Sequence, residues 1–281
     1  MVDLHTHSTA SDGTLTPREL VLLAKNEKLE GLALTDHDTI SGLKEAYETA
    51  KQVSLPFICG VEISVKFEGP GHFHMLGYFA KPEIPEIEET LKTLQKAREQ
   101  RNKKMIEKLR NLGIEITLEE LKAIAEGEIG RPHIANLLVK KGIVKSFEEA
   151  FEKFLKKGAL AYVPKALLKP EEAIERILKA KGIPVLAHPC TLKLTLDTLE
   201  KYICSLKEKG LMGVEVYYTE HSKEFTNFLL NLAKRLNLLI TGGSDFHGKN
   251  KPDIKLGKGF GNLNVPKDCF ENLQKALNTL Y

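Results

Sequence analysis

A chain of 281 residues, 42% hydrophobic and 28% charged, has room for one large α/β domain, or for a smaller one carrying an insertion, with enough apolar side chains for a real core. A net charge of +3 and a pI near 8.5 are too mild to imply nucleic acid as a partner by charge alone. No apolar run approaches the ~18 residues of a membrane span, and MVDLHTHS lacks a signal-peptide layout, so a cytoplasmic protein without a membrane partner is expected.

Short runs at 2–4, 32–34, 57–63, 73–79, 183–187, 213–217 and 238–241 read as strands, being rich in Val, Ile and Leu and bounded by Gly, Pro or Asp. After the first, Thr16, Pro17 and Glu19 predict a cap, a first-turn proline and a capping-box acid. That helix should run through VLLAKNEK to near Gly31, and Ser41 should begin a second. After the fourth run the rhythm breaks. Residues 87–166 show only helical periodicity, with charged faces such as ETLKTLQKAREQRNKKMIEKLRNLG. A loop of about 80 residues does not belong inside a barrel, which predicts a helical insertion domain at 87–166 within a domain made of 1–86 and 167–281. The insertion is expected on the side where the site loops emerge; a coiled-coil or partner-binding helix is the competing reading of 87–112. Helices at 169–181 and 220–236 follow. Alternating strand and helix predicts a parallel sheet, and seven strands suggest a closed or nearly closed barrel. Cys59, Cys190, Cys204 and Cys269 make no CxxC pair, which predicts reduced, partly buried thiols. The Lys- and Glu-rich composition is compatible with a heat-tolerant source.

The placement of the nine histidines carries the chemistry. His5 and His7 follow the first strand two apart, so both imidazoles share one face and can hold one ion. Asp12 lies in the next turn, His37 after the second strand, Glu62 in the third and His74 in the fourth. His188 ends the fifth strand, and Asp245 with His247 ends the last. In a parallel barrel the strand ends open onto one face, where these side chains would converge. Packing them together costs desolvation and repulsion unless cations neutralise them. Imidazole and carboxylate without thiolate suit Mn, Fe or Zn. Nine donors exceed the needs of one ion, so two or three ions with Glu62 bridging are expected, clamping a shared hydroxide for an in-line displacement.

MVDLHTHSTASDG, LTDHDTISG, GVEIS, HMLGY, AHP and GSDFH, in this order, resemble the motifs of the PHP (polymerase and histidinol phosphatase) superfamily across nearly the whole chain. The resemblance implies a distorted (β/α)7 TIM-like barrel, a trinuclear metal site and phosphoesterase activity. It implies that His5, His7, Glu62 and Asp245 hold one ion. Glu62, His74 and His188 would hold a second, and Asp12, His37 and His247 a third. His72, two residues before His74 and on the same strand face, is the alternative ligand.

Further segments, SDGTLTP, TDHDT, GRPHIA, AYVPK, EVYY with His221, and GSDFHG, resemble the stand-alone branch of 3′,5′-nucleoside bisphosphate phosphatases and 5′–3′ exoribonucleases. That implies a nucleotide or short RNA substrate and no DNA duplex; the oligomeric state stays open. Arg131 at a helix start framed by Pro132 predicts an anion site, with His133 beside it. His221 is a candidate substrate-binding residue and general acid, and Lys165 a similar candidate. The rivals are a histidinol-phosphate-type phosphatase, a non-catalytic PHP scaffold module and an amidohydrolase. GRPHIA and AYVPK argue against the first, the full ligand set against the second, and Glu62 in place of a carboxylated lysine against the third.

Overall fold

The capping signal at Thr16 is met in full. In the computed structural model, which describes residues 1–124 and 129–280, α1 spans Pro17–Asn26. The Thr16 hydroxyl accepts from the Glu19 amide at 3.2 Å, and the Glu19 carboxylate accepts from the Thr16 amide at 2.8 Å. The helix ends at Asn26, short of Gly31, and Lys28 then turns the chain with φ +59°.

After α1 come β1 (Leu32–Leu34), α2 (Leu43–Gln52), β2 (Phe57–Val65), β3 (Phe73–Phe79), α3 (Pro85–Asn111), α4 (Leu118–Lys122), α5 (Arg131–Lys140) and α6 (Phe147–Ala150). The chain continues through α7 (Pro170–Lys179), β4 (Ile183–Leu186), α8 (Leu196–Glu208), β5 (Gly213–Tyr218), α9 (Lys223–Arg235), β6 (Leu239–Gly243) and α10 (Lys267–Thr279). Two compact units result: Met1–Thr90 with Leu167–Tyr281, and Leu91–Ala166.

In the first unit the six strands form one mixed sheet in chain order. β1–β2, β4–β5 and β5–β6 are parallel, but β3 is antiparallel to both of its neighbours, which corrects the all-parallel expectation. The reason lies in the link: residues 66–72 are too few for a crossover, which needs about a dozen residues or more, so the chain turns back. The run expected as a first strand makes only isolated bridges, although on both sides. Asp3 pairs with Leu32 of β1, Thr6 pairs with Phe246, and the Leu4 amide donates to the Gly242 carbonyl at 3.1 Å. Beneath lies a core of Val2, Leu4, Leu76, Tyr78, Ile183 and Val185, covered by Phe270 and Leu273 of α10.

Reversal of β3 has two consequences. Its beginning, not its end, lies where the parallel strands finish, since His74 is registered against Ser64 near the end of β2. The chain also leaves the sheet from the far end of β3. It rejoins at the site end, where Leu168 bridges Val65 and accepts from the Lys66 amide at 2.7 Å.

The second unit is helical and surrounds its own core of Met105, Leu109, Ile116, Leu121, Ile134, Leu138 and Leu155. α6 runs directly into a π-helical turn at Phe151–Leu155. Residues 125–128 of the expected helical insertion lie outside the described residues. Among the described residues, no helix is long and apolar enough to cross a membrane.

Candidate metal centre

Strand ends and the loops that follow them bring the nine expected side chains together. Glu62, fully buried in β2, is the hub. Its Oε1 lies 2.8 Å from both His74 Nδ1 and His188 Nε2. Its Oε2 lies 3.0 Å from His37 Nδ1, 3.2 Å from His5 Nε2 and 3.3 Å from His7 Nε2. Asp245 Oδ1 is 3.2 Å from His7 Nε2 and 3.4 Å from His247 Nδ1. At the exposed rim, Asp12 Oδ1 is 3.2 Å from His247 Nε2 and Oδ2 is 3.9 Å from His37 Nε2. Three sets offer donor atoms within 4.8 Å of one another: His5, His7, Glu62 and Asp245; His7, Asp12, His37 and His247; and His37, Glu62 and His74. His188 stands beside them through its contact with Glu62.

Several of these atoms are stranded. His5 Nε2, both ring nitrogens of His7, Glu62 Oε2 and His74 Nδ1 are buried without a hydrogen-bond partner. Buried polar atoms are rarely left so, because each costs its full desolvation. A divalent cation satisfies converging lone pairs of this N/O type, so the residues fit the expected metals. The electrostatics agree. Burial opposes charge on His5 and His7, yet Glu215, Glu62 and Asp245 hold His5 well above the usual imidazole range, and Asp245 and Glu62 raise His7 to about 9. Despite burial, neighbouring imidazoles keep Glu62 and Asp245 well below the carboxylate range. Burial pushes His37 down to about 3.

A supporting layer escaped the sequence reading. Glu215 of β5, fully buried, lies 3.0 Å from His5 Nδ1 and accepts from the His188 amide at 2.7 Å. A carboxylate at Nδ1 fixes the tautomer that turns Nε2 toward the centre. The available signal was a lone charge inside the apolar strand GVEVYY. Asp36 accepts from the Ser8 amide and from the Ser8 and Ser11 hydroxyls, tying down the loop that carries Asp12. Asp3 grips the Ser244 amide and hydroxyl in the same manner. Three members have left-handed backbones: Asp38 (φ +52°), His188 (φ +24°) and Asp245 (φ +59°). Each is pinned by its amide, to Glu62 O, Glu215 Oε2 and His5 O respectively. Such strain persists only where the surroundings over-determine it.

Other candidates fare differently. His72 lines the same cavity of about 190 Å³, its ring 5.5 Å from that of His74, but it joins none of the three donor sets. Burial and the nearby imidazoles push it down to about 4. His221 donates from Nδ1 to the Val216 carbonyl at 2.9 Å and packs between Tyr218 and Phe225. Burial lowers its pKa from the usual imidazole value.

In the helical unit, Arg131 opens α5, donates to the Leu155 carbonyl at 3.2 Å and stands over the Phe151 ring at 5.6 Å. His133 Nδ1 accepts from the Gly130 amide at 3.1 Å, capping the helix in place of a cap side chain. Arg101, 7% exposed, donates to the Val163 carbonyl at 2.8 Å and has no carboxylate partner among the described residues. Burial, with Arg131 adding repulsion, lowers its guanidinium to about 10.

Comparison with known proteins agrees with this geometry. The model of the PHP domain matches residues 3–160. A 5′–3′ exoribonuclease of Haemophilus influenzae is 39% identical over 87% of this chain and 89% of its own length. A 3′,5′-nucleoside bisphosphate phosphatase of Chromobacterium violaceum is 34% identical over 91% of this chain and 90% of its own. A crystal structure from Bifidobacterium adolescentis, assigned as a metal-dependent phosphoesterase, superposes with a TM-score of 0.81 at 33% identity, covering 98% of this chain and 96% of that one.

Proposed function

The chain belongs to the PHP domain family and is a metal-dependent phosphoesterase, and on that premise we propose that its substrates are 3′,5′-bisphosphate nucleotides or the 5′ ends of short RNA. The observation that carries the metal assignment is the split face of Glu62, one oxygen toward His74 and His188 and the other toward His5, His7 and His37. In this reading Glu62 would be a ligand in more than one site. His5, His7 and Asp245 would complete one, His74 and His188 a second, and Asp12, His37 and His247 would hold a third. Two or three Mn, Fe or Zn ions, when bound, supply an activated water and positive charge against the phosphoryl group.

The protein's own residues provide the rest. Glu215 holds His5 in register, and the amide contacts of His188 and Asp245 keep their side chains aimed inward. Arg131, with His133, takes a phosphate of the substrate by charge-assisted hydrogen bonding. The sheet, with residues 2–6 standing for a seventh strand, is read as the distorted barrel of the family.

A turnover panel tests the substrate class: adenosine 3′,5′-bisphosphate, a 5′-phosphorylated RNA trimer and histidinol phosphate, assayed with metal analysis. The reading predicts that either of the first two exceeds histidinol phosphate in kcat/KM by at least tenfold. A preference for histidinol phosphate would overturn it.

A further inference from the structure

Among the residues that line the metal-centre cavity, Lys251 carries the one permanent cation. The others are His37, Glu62, His72, His74, His188, Thr191, Tyr218, Glu220 and Asp245. Its Nζ sits 2.6 Å from Asp245 Oδ2, the oxygen turned away from His5 and His7, and the Tyr218 hydroxyl donates to that same oxygen at 3.1 Å. Asp245 is almost wholly buried, whereas the Lys251 side chain is 37% exposed, so its ammonium lies at the mouth of the cavity. The backbone beneath it is well anchored. The Lys249 amide donates to Thr14 Oγ1 at 2.9 Å, and Asn250 Nδ2 donates to the Asp12 carbonyl at 2.7 Å. Gly248, at φ +64°, lies so close to Thr14 that a Cβ would fall 2.1 Å from its hydroxyl.

We propose that Lys251 is a substrate-binding residue of the metal centre, donating to a non-bridging oxygen of the bound phosphoryl group. Tyr218 already holds Asp245 Oδ2, so the ammonium can turn without releasing that carboxylate. Lysine offers three donors on a four-carbon stem, enough to keep one on Asp245 and direct another to an arriving phosphate. Of the other lining residues, His37, His74 and His188 face Glu62, and Glu220 would repel an anion. The proposal rests on the phosphoesterase reading and specifies which side chain meets the phosphoryl group.

The test uses the metal-loaded full chain, with inorganic phosphate as the probe in calorimetric titration and adenosine 3′,5′-bisphosphate in turnover. Lys251→Met should retain the wild-type metal content, weaken phosphate binding at least tenfold and lower kcat/KM at least a hundredfold. Lys251→Arg should recover at least tenfold of that loss. A Met variant with full metal and unchanged phosphate affinity overturns the proposal. So does one whose defect is entirely lost metal, since Lys251 would then merely position Asp245. If the wild-type protein bound phosphate but hydrolysed no ester, the functional reading would fail while the Lys251 contact still stood to be judged by titration.

Discussion

His5 and His7 illustrate how buried carboxylates favour charge on neighbouring imidazoles. Nearby carboxylates hold both imidazoles above their ordinary range, His7 to about 9. A raised folded-state pKa contributes stability that is complete below the unfolded value of about 6.5 and is lost as pH climbs through about 9. Metal binding must displace the same protons, so affinity for metal rises over that interval. The gap in Tm between metal-loaded and chelated protein should therefore widen from pH 6.5 to 9; a gap that narrows would contradict this charge state. Glu215 gives a second prediction. Glu215→Gln leaves the shape intact but removes the charge behind His5, and should weaken metal binding ~10–100-fold, measured by competition with a chelator. Unchanged affinity would deny Glu215 its orienting part. At this scale the nine candidate donors were legible because imidazoles and carboxylates recurred at strand ends. Glu215 and Tyr218 were not, since each acts through a neighbour that only folding supplies, and the fold alone brings Lys251 beside Asp245.

Strands and loops set how closely those side chains can approach. A Cβ on Gly243, the last residue of β6, would lie 2.4 Å from the His5 backbone nitrogen, so the segment bearing His5 and His7 packs against bare backbone there. Gly243→Ala should cost on the order of 1–3 kcal/mol in denaturant unfolding and reduce metal content with it. Full stability and full metal in that variant would mean the contact is looser than it looks. Helix α1 was readable to its first residue because a capping box is a local signal. The direction of β3 was not read, although the short link at 66–72 contained the clue, and the histidine pattern drew attention to strand ends without their polarity. Residues 2–4 looked like a strand by composition and instead make single bridges, Val2 to Val265 and Asp3 to Leu32 of β1, a long-range outcome that no local pattern encodes.

Across the whole molecule, the candidate ligands and the Arg131 proposed for substrate fall in different units. Arg131 and the buried Arg101 belong to the helical unit, while all nine candidate ligands belong to the other. Arg131→Ala should raise KM for adenosine 3′,5′-bisphosphate at least tenfold and leave metal content alone. An unchanged saturation curve would remove Arg131 from the substrate site. The break in rhythm after the fourth apolar run was plain in the sequence because helical periodicity replaced alternation. The account as a whole depends on cations drawing together side chains that are distant in sequence. Metal stoichiometry by plasma mass spectrometry, on the purified wild-type protein and on Glu62→Gln, tests it most directly. The prediction is about two or three transition-metal equivalents per chain in the wild type and at least half of them lost in the variant. A wild-type protein that binds no transition metal, or a Glu62→Gln protein that keeps its full complement, would contradict it.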